Sequence, residues 1–161
     1  MQLQRRPATE ADIPFLLSLR RATMDGHLAA SGASITDESH LLRLMYQFGC
    51  AEILLGDGEP VGLLKVRRSP DEWEIVQIQL SSDLQGQGLG RSLLEEVLAG
   101  ADAAHVEVKL SVLKANPARR LYEKLGFALV GEDAHEYFMR RAPGIRLESA
   151  ARVGLMPVRT S

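Results

Sequence analysis

Six residues near the middle of the chain, Gln85-Gly86-Gln87-Gly88-Leu89-Gly90, carry the clearest chemical signal. Three glycines at alternate positions let a backbone turn tightly and bring bare N–H groups close to a ligand. Leu89, Leu93, Leu94 and Val97 follow at helical spacing. The unpaired N–H groups of a helix's first turn, and its dipole, then face whatever lies over the turn. That arrangement suits phosphate or pyrophosphate. A P-loop needs four residues between its glycine and a Gly-Lys-Ser/Thr. Here Gly86 and Gly90 enclose three, and Arg91 stands where the lysine belongs. A dinucleotide fingerprint needs Gly-x-Gly-x-x-Gly, whereas the spacing here is Gly-x-Gly-x-Gly. Glu107 does lie about twenty residues on, as an acid would in that motif, which keeps this reading open. A glycine-rich turn without a ligand is the bland alternative.

The elements around the turn must place it. Glu74 to Leu80, EIVQIQL, is β-branched and apolar, with alternation over its last four residues, and predicts a strand ending at the turn. Upstream, Leu3 to Arg6 is a short opening strand. Thr9 is an N-cap with Asp12 three residues on. Ile13, Leu16, Leu17, Arg20 and Met24 trace one face of a helix running to Leu28 or Ala30, and Ser31-Gly32 breaks it. Thr36 or Asp37 caps a second helix, with Leu41, Leu42, Leu44, Met45 and Phe48 apolar and Gly49 closing it. Cys50 to Leu55 and Val61 to Val66, joined by Asp57-Gly58, form a hairpin. The helix after the glycine turn is expected to stop near Gly100. Val106 to Leu110 alternates as a strand. A helix starts at Asn116-Pro117 with Ala118, Leu121, Tyr122 and Leu125 inward, and Gly126 ends it. Phe127 to Gly131 and Glu136 to Arg140 form a last hairpin. The order is β-α-α-β-β-β-α-β-α-β-β: α/β or α+β, with a mixed sheet flanked by helices.

At 161 residues the chain fits one domain with room for a sizeable core. A net charge of −2 offers no attraction for nucleic acid or an anionic membrane. No apolar run reaches the ~18 residues of a membrane helix, and the polar start, MQLQRRPATEAD, has no signal-peptide centre. A cytoplasmic location is the expectation. The single cysteine, Cys50, begins an apolar strand and is expected to be a small buried hydrophobe. No His or Cys cluster has metal-ligand spacing, so no metal is expected.

Two motifs together resemble one family. Gln85-x-x-Gly88-x-Gly90 after an extended strand is similar to the coenzyme A loop of the GNAT superfamily of N-acetyltransferases. Leu121-Tyr122-Glu123-Lys124-Leu125-Gly126-Phe127 resembles that family's helix-to-strand segment. The motifs lie on the right elements in the right order, and the element order is that of the GNAT fold, with a mostly antiparallel sheet. The resemblance covers about Leu3 to Arg140. It implies a GNAT domain over 1–141 and a tail over 142–161, which has no clear period and is expected to be a mobile arm or a homodimer contact.

The resemblance also implies a chemistry. Acetyl-CoA is the cosubstrate. Its pyrophosphate sits on the Gln85, Gly86, Gln87, Gly88, Leu89 and Gly90 backbone, with Arg91 or Gln87 adding side-chain contacts. Ile78, Gln79 and Leu80 pair with the pantetheine arm through free backbone groups. Asn116 contacts that arm in the family. Here it stands six residues before Tyr122 rather than seven, so a simple helix-capping role is an equal alternative. Tyr122 is the general acid for the leaving thiolate. Glu74, eleven residues before Gln85, is the expected base. On a regular strand it shares a face with Val76, Ile78 and Leu80, whose apolar character would raise its pKa. Glu72 is close but lies further out. The acceptor side offers Arg20, Asp25, His27, His40 and Tyr46. The expected function is acetyl transfer to the primary amine of a small molecule by direct attack in a ternary complex. The alternatives are a protein or peptide acceptor, or a non-catalytic acyl-CoA sensor.

Overall fold

The structure, a computed structural model, describes residues 2–144. From residue 145 onward the expected tail lies outside the described residues. The strands are β1 (Gln4–Pro7), β2 (Ala51–Gly56), β3 (Glu59–Arg68), β4 (Glu72–Leu80), β5 (Glu107–Leu113), β6 (Ala128–Glu132) and β7 (Glu136–Arg141). The helices are α1 (Ile13–Ala30), α2 (Asp37–Met45), α3 (Leu89–Ala104) and α4 (Arg119–Lys124). The chain order is the expected one. A seven-stranded sheet runs β1-β2-β3-β4-β5-β7-β6. Every neighbouring pair is antiparallel except β4 and β5, which are parallel. A parallel pair needs a crossover, and α3 supplies it.

Strand alternation divides the core between the two faces. Leu54, Leu64, Val66, Ile75, Val108, Leu110 and Met139 pack with Leu93, Leu94, Val97, Leu98 and Ala101 of α3 and Tyr122 of α4. On the other face Ile53 and Leu63 pack with Leu16 and Leu19 of α1 and Leu44 of α2. Asp12 ties β1 to the start of α1. Its carboxylate takes two bonds from the Arg6 guanidinium, at 2.8 and 2.9 Å, and one from the Thr9 N–H at 2.8 Å. These donors hold its pKa down to about 2.

Several boundaries differ from expectation for identifiable reasons. The helix α3 continues past Gly100 to Ala104, and His105 closes it in the left-handed conformation. A Cβ at Gly100 would come within 3.1 Å of the Trp73 ring, a tight contact. The helix α2 ends at Met45, before Gly49, with Thr36 as its cap accepting from Ser39 N–H. Of its expected apolar face only Leu44 is buried; Leu41, Leu42 and Met45 are exposed. Cys50 lies in a short 3-10 turn ahead of β2 and is half-buried, not a core residue. The helix α4 starts at Arg119, after a turn at Pro117-Ala118.

Candidate active site

The site begins with a break in pairing. The strands β4 and β5 are in register from Glu72↔Glu107 to Ile75↔Leu110, and there the ladder stops. Both strands go on, to Leu80 and Leu113, with their facing edges unpaired. A bulge on β4 accompanies the parting. Val66 pairs Ile75 and Lys65 pairs Gln77, so Val76 is an extra residue. Its carbonyl takes a bond from Arg43 Nη2 at 3.1 Å instead. A cleft opens between the strands, walled by Val76, Ile78 and Gln79 on one side and Ser111 to Leu113 on the other. Asn116 and Tyr122 stand along it, and Arg20, Arg43 and Glu136 line it from other elements.

At the end of β4 the chain enters the glycine turn. Gly86 and Gly88 have φ of 79° and 78°, a conformation that favours glycine. Gln85 folds its side chain back, Nε2 donating to Leu80 O at 3.0 Å, which fixes the start of the turn. Among the described residues no acceptor pairs with the backbone N–H groups of Gly86 through Arg91. Six consecutive donors around two left-handed glycines, at the start of a sixteen-residue helix, form an anion-binding nest. A diphosphate fits that donor set. The Arg91 side chain lies with Glu95 on an exposed face, and the Gln87 amide bonds Asp83 O.

Tyr122 is buried at 8% exposure, packed edge-on against Phe127 with ring centroids 5.8 Å apart. Its hydroxyl has no partner among the described residues, and burial raises its pKa, so the proton stays on at neutral pH. Asn116 Oδ1 accepts from Ala118 N–H at 2.9 Å, the capping role, while the residue also borders the cleft. Both readings of Asn116 are therefore compatible with its placement.

The expected surroundings of Glu74 need correction. The bulge at Val76 reverses the alternation, so Glu74 shares a face with Gln77 and Gln79, not with Val76, Ile78 and Leu80. Its carboxylate sits 3.4 Å from Arg67 Nε and 3.4 Å from the Tyr46 hydroxyl. These are polar and charged neighbours, and they replace the apolar surroundings expected to raise its pKa. Glu72, the nearby alternative, is taken up by Lys109, Arg140 and Arg67; the first two lower its pKa.

On the acceptor side, Arg20 Nε donates to His40 Nδ1 at 2.9 Å, and His40 Nε2 lies 2.6 Å from Asp25 Oδ1. Three of the five expected acceptor-side residues thus form one chain. Tyr46 packs under the Arg43 guanidinium, 5.3 Å from the ring centroid. Of the five, Arg20 lines the cleft, and Asp25, His27, His40 and Tyr46 are not among its lining residues.

The family model for the acetyltransferase (GNAT) domain matches residues 50–141. The chain belongs to the GNAT family. A 5-NmdU N-acetyltransferase of Pseudomonas phage PaMx11 is 33% identical over 91 residues, 54% of this chain and 63% of the relative. The chain thus spans less than two thirds of that relative's length. An acetyltransferase from Thermus thermophilus superposes with a TM-score of 0.69 at 25% identity, covering 88% of this chain and 97% of that one. The paia N-acetyltransferase of Thermoplasma acidophilum, in complex with coenzyme A, superposes with a TM-score of 0.68 at 16% identity, covering 88% and 99%.

Sequence reasoning missed three residues that line this GNAT cleft and one buried lysine beside them. Glu136, at the start of β7, reaches the cleft half-buried, and burial raises its pKa. Arg43 spans from α2 to the β4 bulge. Gln77 is buried with neither amide atom hydrogen-bonded. Lys65 is fully buried, and its Nζ donates to Leu44 O and Tyr46 O at 2.7 Å and Arg43 O at 3.4 Å. Burial and the Arg43 and Arg20 charges lower its pKa to about 7. Three carbonyl acceptors at the negative end of α2 favour the ammonium in return. A lysine inside the apolar run VGLLKV, and glutamines alternating in QIQL, were the available signals. Nothing local marked Glu136.

Proposed function

We propose that this protein transfers the acetyl group of acetyl-CoA to the primary amine of a small molecule, by direct attack with both substrates bound. The observation that carries this reading is that the chain runs from the unpaired edge of β4, on a cleft that Tyr122 lines, into the donor nest at Gly86–Arg91. Acetyl-CoA supplies the activated acyl group. The nest holds its pyrophosphate. The free edge of β4 over Ile78, Gln79 and Leu80 offers backbone groups to the pantetheine arm, and the Asn116 amide borders the same slot. Tyr122 donates its proton to the departing thiolate. Glu74, held between Arg67 and Tyr46, takes the amine proton through water. Arg20, Arg43 and Glu136 surround the acceptor.

The test is a panel of amines incubated with the protein and acetyl-CoA, with free thiol followed over time. Amine-dependent thiol release supports the reading. Acetyl-CoA binding without thiol release from any amine or peptide would point to a non-catalytic acyl-CoA module instead.

A further inference from the structure

Two guanidinium groups line the cleft, and each has most of its donors without an acceptor among the described residues. Arg20 is 8% exposed. Its Nε is fixed by His40 Nδ1, which must present a lone pair there. The His40 proton therefore sits on Nε2 and points to Asp25. This chain locks the guanidinium plane while leaving Nη1 and Nη2 without an acceptor among the described residues. Arg43 spends one amino group on Val76 O. Lys65 lies close behind, spent on carbonyls.

Burial and the nearby Arg43 lower the Arg20 pKa to about 10, a sign that its positive charge is poorly compensated. A buried cation with free donors is costly unless an anion meets it. The carboxylates in reach are Asp25, which lies behind His40, and Glu136, across the cleft and with no side-chain hydrogen bond among the described residues. Gln77 adds an unpaired buried amide at the cleft wall. Opposite charges are thus set apart within one small site.

We propose that the acceptor is an amine that also carries an oxyanion, carboxylate or phosphate, with the oxyanion bound by Arg20 and Arg43 and the ammonium facing Glu136. Arg20 offers a rigid fork that suits either oxyanion. This deepens the acetyl-transfer reading, on which it rests, by naming its substrate class.

The experiment uses the full chain with coenzyme A or acetyl-CoA present. The probes are the standard amino acids, ω-amino acids and aminoalkyl phosphates, each paired with its neutral amide or alcohol. Binding is read by calorimetry and turnover by thiol release. At least one anionic amine should bind roughly 10- to 100-fold better than its neutral counterpart, the range of a charge-assisted hydrogen bond. The carboxylate and phosphate arms separate the two sources. Arg20→Met should remove that preference while coenzyme A still binds, and Arg20→Lys should restore part of it. If Arg20→Met does not fold, the paired ligands on the parent protein decide alone. Equal binding of charged and neutral partners would overturn the proposal even if amines are acetylated. Arg20-dependent binding without any turnover would instead sink the acetyl-transfer reading, and with it the assignment of the bound amine as acceptor, leaving only an oxyanion-binding site at Arg20.

Discussion

Tyr122 combines two jobs that a phenylalanine would separate. Its ring fills the core against Phe127, and the residue also lines the cleft. Tyr122→Phe should leave the melting temperature nearly unchanged and lower turnover by about 10²-fold, the low end for a general acid. Unchanged turnover with chemistry rate-limiting would assign the residue to packing alone. The base is a contest between two carboxylates. Glu74 is held by polar neighbours at the bulge, while Glu136 is half-buried in the cleft with a raised pKa. Glu74→Gln should slow the reaction at neutral pH and move the acidic limb of the pH–rate profile up towards the amine's own pKa. A raised carboxyl pKa loses its proton later as pH rises, so a limb set by Glu136 would lie above the usual carboxylate range. If Glu136→Gln moves the limb and Glu74→Gln does not, the proton goes to Glu136.

At the scale of elements, the cleft depends on how β3 holds β4 while β5 lets go. Gly62 on β3 sits directly over the β4 backbone. A Cβ there would lie 2.4 Å from Gln79 O. No rotamer change relieves a clash with backbone. Gly62→Ala should therefore cost about 1–3 kcal/mol, as overpacking does, and lower the melting temperature by roughly 3–10 °C. Calorimetry or a thermal melt reads this directly. A melt equal to the parent's would show that the strands can move apart freely at this point. The bulge at Val76 is the other decisive local feature. It turns Gln77 and Gln79 towards the acceptor side and leaves a carbonyl for Arg43. Its position was not legible, because the run EIVQIQL reads as one regular strand and a one-residue bulge changes no residue type.

For the molecule as a whole, ligand binding and folding are linked. A cofactor that binds only the folded chain raises its melting temperature. Acetyl-CoA at roughly 100 times its dissociation constant should add about 2.7 kcal/mol of stability. Gly88→Asp should erase this response. It forces a side chain into φ +78° and sets a carboxylate among the donors of the nest. A Gly88→Asp protein that folds and keeps the full acetyl-CoA shift would place the cofactor elsewhere. Gly88→Ala keeps the strain but adds no charge, and its smaller loss would apportion the two effects.

Local chemistry was enough for much of this protein. The glycine spacing after a strand, the helical spacing after it, the Asp57-Gly58 hairpin and the Leu121-to-Phe127 segment are short-range signals. Each depends on neighbours within a few residues, and the element order and family follow from them. Tertiary structure decided everything that needed two distant segments to meet. Glu136 reaches the cleft only because β7 lies beside β5. Arg20, His40 and Asp25 become one chain only where α1 packs on α2. Gly100 lies within α3, where the Trp73 ring packs against it, and the helix ends only at His105. In each case a long-range contact outweighed a local preference, or acted where no local preference existed. Burial and steric overlap act between segments that sequence distance keeps apart, and so they could not be read along the chain.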